Sequence, residues 1–183
     1  MANATCGNPR ILVVGVGNVL HGDDGFGIEV ADQLMKRTDM PESVKVMETG
    51  IGGMTLVQEL MYGYDALAIL DAYKNNCSPG ELYLLEPVLP DLSDMDAHER
   101  RDYFADTHYA TPFRALSFIE HIGDLPETVR IIGCEPEEVD ALRIGLSAAV
   151  AAAVPGAVKM VLHWIDEYIS ESQSDTTLGG LKR

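Results

Sequence analysis

The segment Ile11-Leu-Val-Val-Gly-Val-Gly-Asn18, followed five residues on by the acid pair Asp23-Asp24, constrains the fold of this chain most. An apolar run without polar alternation is the mark of a strand buried on both faces. Ile28, Ala31, Leu34 and Met35 then recur at helical spacing, which predicts a first helix over about 25–37. The turn between them resembles a dinucleotide fingerprint but departs from it. After Gly15 and Gly17 the third glycine is Gly22, two positions late. Two acids stand at the helix start, where they would repel a pyrophosphate and occupy its amides. No tightly bound organic cofactor is therefore expected.

Further along, the punctuation keeps to one architecture. Val44, Val46 and Thr49 alternate with polar residues, giving a second strand nearer an edge. Gly50-Ile-Gly-Gly53 breaks the chain, 54–62 reads as a short helix, and Ala66–Leu70 is a third buried strand closed by Asp71. Strand and helix in alternation imply right-handed parallel crossovers. Only residues 73–79 precede a fourth β-like run over 80–86, too few for a parallel crossover, so that strand is expected to run antiparallel. Thr111-Pro112 has the form of an N-cap with proline at the first helical position, opening a helix that ends near Gly123. Val129–Gly133 is a fifth strand. A helix around 147–153 is expected to be cut at Pro155, and a last helix spans about 156–169. The expectation is a three-layer α/β/α sandwich on a five-stranded, mostly parallel mixed sheet. Residues 1–9 read as a flexible arm, 10–170 as one domain and 171–183 as a polar tail.

A chain of 183 residues with 46% hydrophobic composition can fill one core. Its net charge of -16 argues against nucleic acid and against anionic membranes. Acids concentrate between Glu86 and Asp106, a stretch that serves either as a solvated loop or as a surface for a basic partner. The start has no secretory pattern, and the longest apolar stretch, Leu146–Val154, falls short of the ~20 residues a spanning helix needs. A cytoplasmic monomer is expected. Cys6, Cys77 and Cys134 form no CxxC pair and suggest neither zinc nor redox chemistry.

In open α/β sheets ligands gather at the carboxyl ends of the strands. Asp23 and Asp24, Gly50–Gly53 and Asp71 all fall there. A carboxylate closing so apolar a strand requires donors, a cation or a metal, or else caps a loop. Taken alone, Asp23-Asp24 reads more simply as an N-cap for the first helix, with one acid free to face the cleft. Among five histidines, His108 lies just before a predicted helix start, where imidazolium is disfavoured and a neutral nitrogen is left for a metal. Asp24, Asp71 and His108 would make an open site with a position left for water or substrate. Such ligands suit zinc, nickel or manganese equally. A dyad of Asp24 and Asp71 sharing one proton is the competing arrangement.

With these residues in view, the chain resembles the hydrogenase maturation endopeptidases from about Ile11 to its last helix. Gly15-Val-Gly-Asn-Val-Leu-His-Gly-Asp-Asp-Gly-Phe-Gly27 is similar to that family's GxGNxLxxDDGxG block. Glu48-Thr-Gly-Ile-Gly-Gly-Met54, Leu70-Asp71-Ala72 and Asp106-Thr-His108 resemble the blocks that follow, as do Ile132-Gly-Cys-Glu-Pro136 and Gly145-Leu-Ser147. Glu48 stands where aspartate is common, and the acidic stretch 86–106 follows no family pattern.

The resemblance implies an endopeptidase, grouped here with the aspartyl proteases, that removes the C-terminal extension of a nickel-loaded NiFe-hydrogenase large-subunit precursor. It implies that Asp24, Asp71 and His108 contact a metal, the substrate's own nickel, and that the enzyme holds none of its own. Of the two neighbouring acids, it makes Asp24 the ligand and Asp23 the cap. Asn18, Glu48, Gly50, Gly52 and Gly53 are then expected on the substrate side. A non-catalytic nickel-sensing chaperone for the same precursor would use the same three ligands.

Overall fold

The computed structural model describes residues 8–51, 53–92, 95–96, 98–99, 102–103 and 112–179, with the side chains of 175–179 left aside. In chain order its elements are β1 (Ile11–Val16), a 3-10 turn (Gly22–Gly25), α1 (Phe26–Met35), β2 (Val44–Gly50), α2 (Gly53–Leu60) and β3 (Ala66–Ala72). There follow β4 (Leu82–Leu85), α3 (Pro112–Ile122), β5 (Thr128–Cys134) and α4 (Ala148–Gly179). The sheet order is β2-β1-β3-β5-β4. Three neighbouring pairs are parallel and only β4 runs against β5, as the short connection after β3 requires.

Period-two burial divides the sheet into two faces. Ile11, Val13, Ala68, Leu70 and Ile132 face α1 and α4, where they meet Phe26, Leu34, Val154, Val161 and Trp164. Leu12, Val14, Val16, Leu67, Ile69 and Ile131 face α2 and α3, against Leu56, Leu60, Leu116 and Ile119. The result is the expected three-layer α/β/α sandwich. β1 and β3 are apolar in both registers because both of their faces are covered.

The strand order sets the location of a site. The chain leaves β1 for β2 on one side, and β3 then pairs with β1 on the other. The connections therefore diverge beyond the carboxyl ends of β1 and β3, the topological switch point where open α/β sheets hold ligands. Close packing keeps α1 low against this point. A Cβ on Gly27 would lie 2.0 Å from the Leu70 carbonyl oxygen and 2.4 Å from that of Val16, so helix and strand backbones nearly touch.

The C-terminal third differs from expectation. α4 is one helix through Pro155, with no break at that residue. Its buried face, Val150, Val154, Ala157, Val158, Val161 and Ile165, keeps helical spacing straight across the proline. Pro155 and Ala151, whose carbonyl loses its donor, are both exposed, so that carbonyl is open to solvent instead of buried without a partner. The expected polar tail is also helical as far as Gly179. Ser170, Ser172 and Ser174 donate their hydroxyls to carbonyls four residues back, so these polar side chains are accommodated within the helix.

Over Ala148–Ser174 this helix is also long and apolar enough to cross a membrane by length and composition, contrary to the expectation that no segment comes near. Its apolar stripe, from Val150 to Ile165, packs against the sheet. Of the flanking segments, residues 1–7 and 180–183 lie outside the described residues, as does Thr111, the expected cap of α3.

Gly27→Ala is expected to lower unfolding stability by about 3 kcal/mol, because backbone atoms on two strands cannot yield to the new methyl. Urea denaturation followed by circular dichroism measures it, and a loss under 1 kcal/mol would contradict the close approach.

Candidate functional site

The site forms where β1, β3 and the 3-10 turn converge. β1 runs out at Val16, and the Gly17 N–H donates to the Gly50 carbonyl at 3.1 Å, tying the ends of β1 and β2 together. Gly17 has φ +133°, and a Cβ there would fall 1.8 Å from the Asp24 carbonyl oxygen. Only glycine lets the turn fold back this tightly over the strand. The Asn18 N–H donates to Asp24 Oδ2 at 2.8 Å, while Asn18 Oδ1 accepts the Leu20 N–H at 3.0 Å. Asn18 thus orients Asp24 through its backbone and shapes the loop through its side chain.

The two neighbouring acids are used differently. Asp23 is fully buried. Its Oδ1 accepts the Ser147 N–H at 2.6 Å, and its Oδ2 accepts the N–H groups of Glu137 and Glu138 at 2.9 and 3.2 Å. Arg143 stands 3.6 Å from Oδ1. Burial alone would raise the Asp23 pKa, but these N–H donors outweigh it and hold the carboxyl below its ordinary value. Asp23 therefore caps, though not the helix that follows it, which has no side-chain cap. It receives the backbone of the segment between β5 and α4.

Main-chain bonds reinforce that clamp. The N–H groups of Gly22 and Asp23 donate to the carbonyls of Arg143 and Glu138, and the Arg143 N–H donates to Leu20. His21 Nδ1 lies 3.3 Å from the Val139 carbonyl, so this histidine belongs to the clamp.

Asp24 and Asp71 are left over. Both are half-buried, one in the turn and one at the end of β3. Burial and the charge of Asp24 push the Asp71 pKa up to about 7, against the lowering effect of the Ala72 N–H. Among the described residues neither acid makes an ion pair, and Arg143 is committed to Asp23. Two close carboxylates without a counter-ion either share a proton or take up a cation. The described residues contain no group of three His, Cys, Asp or Glu that could hold a metal. His108, the third expected ligand, lies outside the described residues.

The other expected residues divide. Glu48 is exposed on β2, level with Gly15 of β1. Gly50 takes φ +56° with open space around it, so its conformation and not crowding demands glycine. Gly53 opens α2 and is buried. Gly52 lies outside the described residues.

Sequence reasoning also missed Glu135. Its carboxylate accepts the Asn75 N–H and the Tyr83 hydroxyl, both at 2.7 Å, which holds its pKa below the usual range and anchors the loop after β3. The signal was an acid directly after a buried strand, the same signal that marked Asp71.

Similarity to known proteins points the same way. The sequence profile of a family described as hydrogenase maturation protease matches residues 28–164. The hydrogenase 2 maturation protease of Escherichia coli is 31% identical, over 84% of this chain and 88% of its own length. A putative hydrogenase maturation protease of Methanocaldococcus jannaschii is 32% identical, over 83% and 94%. Among solved structures, the hydrogenase maturating endopeptidase of E. coli superposes with a TM-score of 0.70 at 28% identity, covering 87% of this chain and 93% of that one.

Two measurements test the division of labour between the acids. Asp23→Ala leaves buried N–H groups without an acceptor and is expected to cost about 3 kcal/mol in chemical denaturation. Asp71 has the opposite sign. Its folded pKa near 7 lies above the unfolded value, so ionising it costs stability as pH rises from about 4 to 7. In metal-free buffer, Asp71→Asn is therefore expected to melt above wild type at pH 8 and level with it at pH 4. A variant that gains nothing at pH 8 would show that Asp71 is not strained.

Proposed function

The chain belongs to the hydrogenase maturation protease family, and from that premise we propose that it removes the C-terminal extension of a nickel-loaded NiFe-hydrogenase large-subunit precursor. The observation that carries this reading is the unpaired couple Asp24–Asp71 at the switch point, with the Asp71 pKa near 7. Such a couple suits a divalent ion that arrives with the substrate. The doubly charged ion supplies the missing counter-charge, and Asp71 gives up its proton as the ion binds.

In this reading Asp24, Asp71 and His108 contact the precursor's nickel, and the enzyme keeps no metal or organic cofactor at rest. Engagement of the nickel sets the adjoining peptide bond over the turn, so orientation supplies much of the acceleration. A carboxylate of the pair takes the proton of the attacking water. This gives the enzyme an aspartyl-type character in which metal serves recognition. Gly50, Gly52, Gly53, Asn18 and Glu48 line the approach of the precursor. The protein works as a monomer in the cytoplasm, away from membranes.

The test is the mass of the precursor after incubation. Wild type is expected to shorten the nickel-loaded precursor and leave the nickel-free one intact. Asp24→Asn, Asp71→Asn and His108→Ala are each expected to slow cleavage by about 10²-fold or more. A wild type that binds the loaded precursor and never shortens it would make the protein a nickel-sensing chaperone.

A further inference from the structure

Behind the Asp23–Asp24 turn lies a second feature, which shares Glu48 with the approach described above and otherwise uses other residues. A cleft of about 450 Å³ opens between α1, the turn and the segment leading into α4, within the ~300–1,000 Å³ range of sites that engulf a small group. Val19, Ile28, Ile144, Leu146 and Val154 form its apolar walls. Two of these are unusually open to water for apolar side chains, Ile144 at 82% and Val19 at 49%. Leu142 and Leu20, on the same two clamped loops, are likewise exposed, at 83% and 49%. Apolar side chains set around a cleft and rimmed by polar residues suit contact with a partner.

The rim of the cleft is acidic. Glu29, Asp32 and Glu48 line it, and no lysine or arginine does so among the described residues. Asp32 is paired with Lys36 one turn along. Glu29 meets the Gln33 amide at 3.2 Å, and neither it nor Glu48 makes an ion pair among the described residues. An apolar floor under acidic edges selects one occupant by charge: a segment that inserts an apolar side chain and carries lysine or arginine beside it. The position of the cleft argues for the same occupant. Gly22 and Gly25, the ends of the turn that bears Asp24, form part of its wall. A chain seated in the cleft is thereby held beside the carboxylates.

We propose that this cleft is a docking site for an apolar and basic surface segment of the precursor, separate from the carboxylate pair. The proposal rests on the precursor being the partner and extends that reading to a second point of contact. Two contacts, one with the metal and one with the protein surface, recognise a loaded precursor more selectively than either alone.

Ile144→Asp and Glu29→Lys test it. Both side chains are exposed, so melting temperatures should stay at the wild-type value. Binding of fluorescently labelled nickel-loaded precursor by anisotropy is expected to weaken about tenfold for each variant. In cleavage, KM should rise in step while kcat stays within about twofold. Added salt should weaken wild-type binding more than that of Glu29→Lys.

Unchanged Kd and KM in both variants would overturn the docking site while leaving the protease reading intact. A wild type that binds without cleaving, and binds less well in both variants, would overturn the protease reading and keep the docking site. Concentration-dependent dimerisation abolished by Ile144→Asp, with precursor binding unaltered, would assign the cleft to a second copy and overturn the proposal.

Discussion

The structure depends on one buried carboxylate. Asp23 takes three backbone N–H groups from the segment between β5 and α4, the nearest at 2.6 Å. A carboxylate so placed would be costly in a protein interior without donors, and with them it is held ionised. The first loop of the chain is thereby fixed to the last. That fixation gives the next residue, Asp24, a rigid seat, because a turn pinned on one side and crowded by Gly17 on the other has little freedom left. Adjacent acids thus do different work: Asp23 is spent on the clamp, while Asp24 keeps only the Asn18 N–H and makes no ion pair among the described residues.

That contrast underlies the electrostatics of the site. Asp23 accepts three N–H groups, which hold its pKa below the ordinary value. Asp71 has the Ala72 N–H and an acidic neighbour, and titrates near 7. Carboxylates in one small region are driven apart by hydrogen bonding and burial, the pattern by which proteins assign structural and chemical roles to identical groups. The switch point of the sheet supplies the place, since it brings the ends of β1 and β3 together without covering them.

Much of this was legible in the sequence because the relevant signals are short-range. Continuous apolar runs gave β1 and β3, the brevity of 73–79 gave the antiparallel fourth strand, and an acid closing an apolar strand marked Asp71. What could not be read depended on distant partners. Nothing near Asp23 indicates that its acceptors will be filled by Glu137, Glu138 and Ser147, so a local cap was the natural assignment. Pro155 was read as a break because its sequence neighbours do not reveal that its carbonyl partner faces water while the opposite side is held by the sheet. The cleft is invisible for the same reason: Ile144 is more than a hundred residues from Val19 and Glu29 and meets them only once the clamp is closed.

The span of that clamp also bears on how the protein comes into being. Asp23 and Ser147 are 124 residues apart. Domains fold as units, and a growing chain emerges from its amino end. β1, α1 and β3 can exist as nascent structure long before Ser147 has been synthesised, but Asp23 then lacks the donors that hold its turn. The carboxylate beside it lacks this support until the chain has been made as far as Ser147. The Asp23 link therefore ties the working shape of the Asp24 loop to a segment made much later, just ahead of α4.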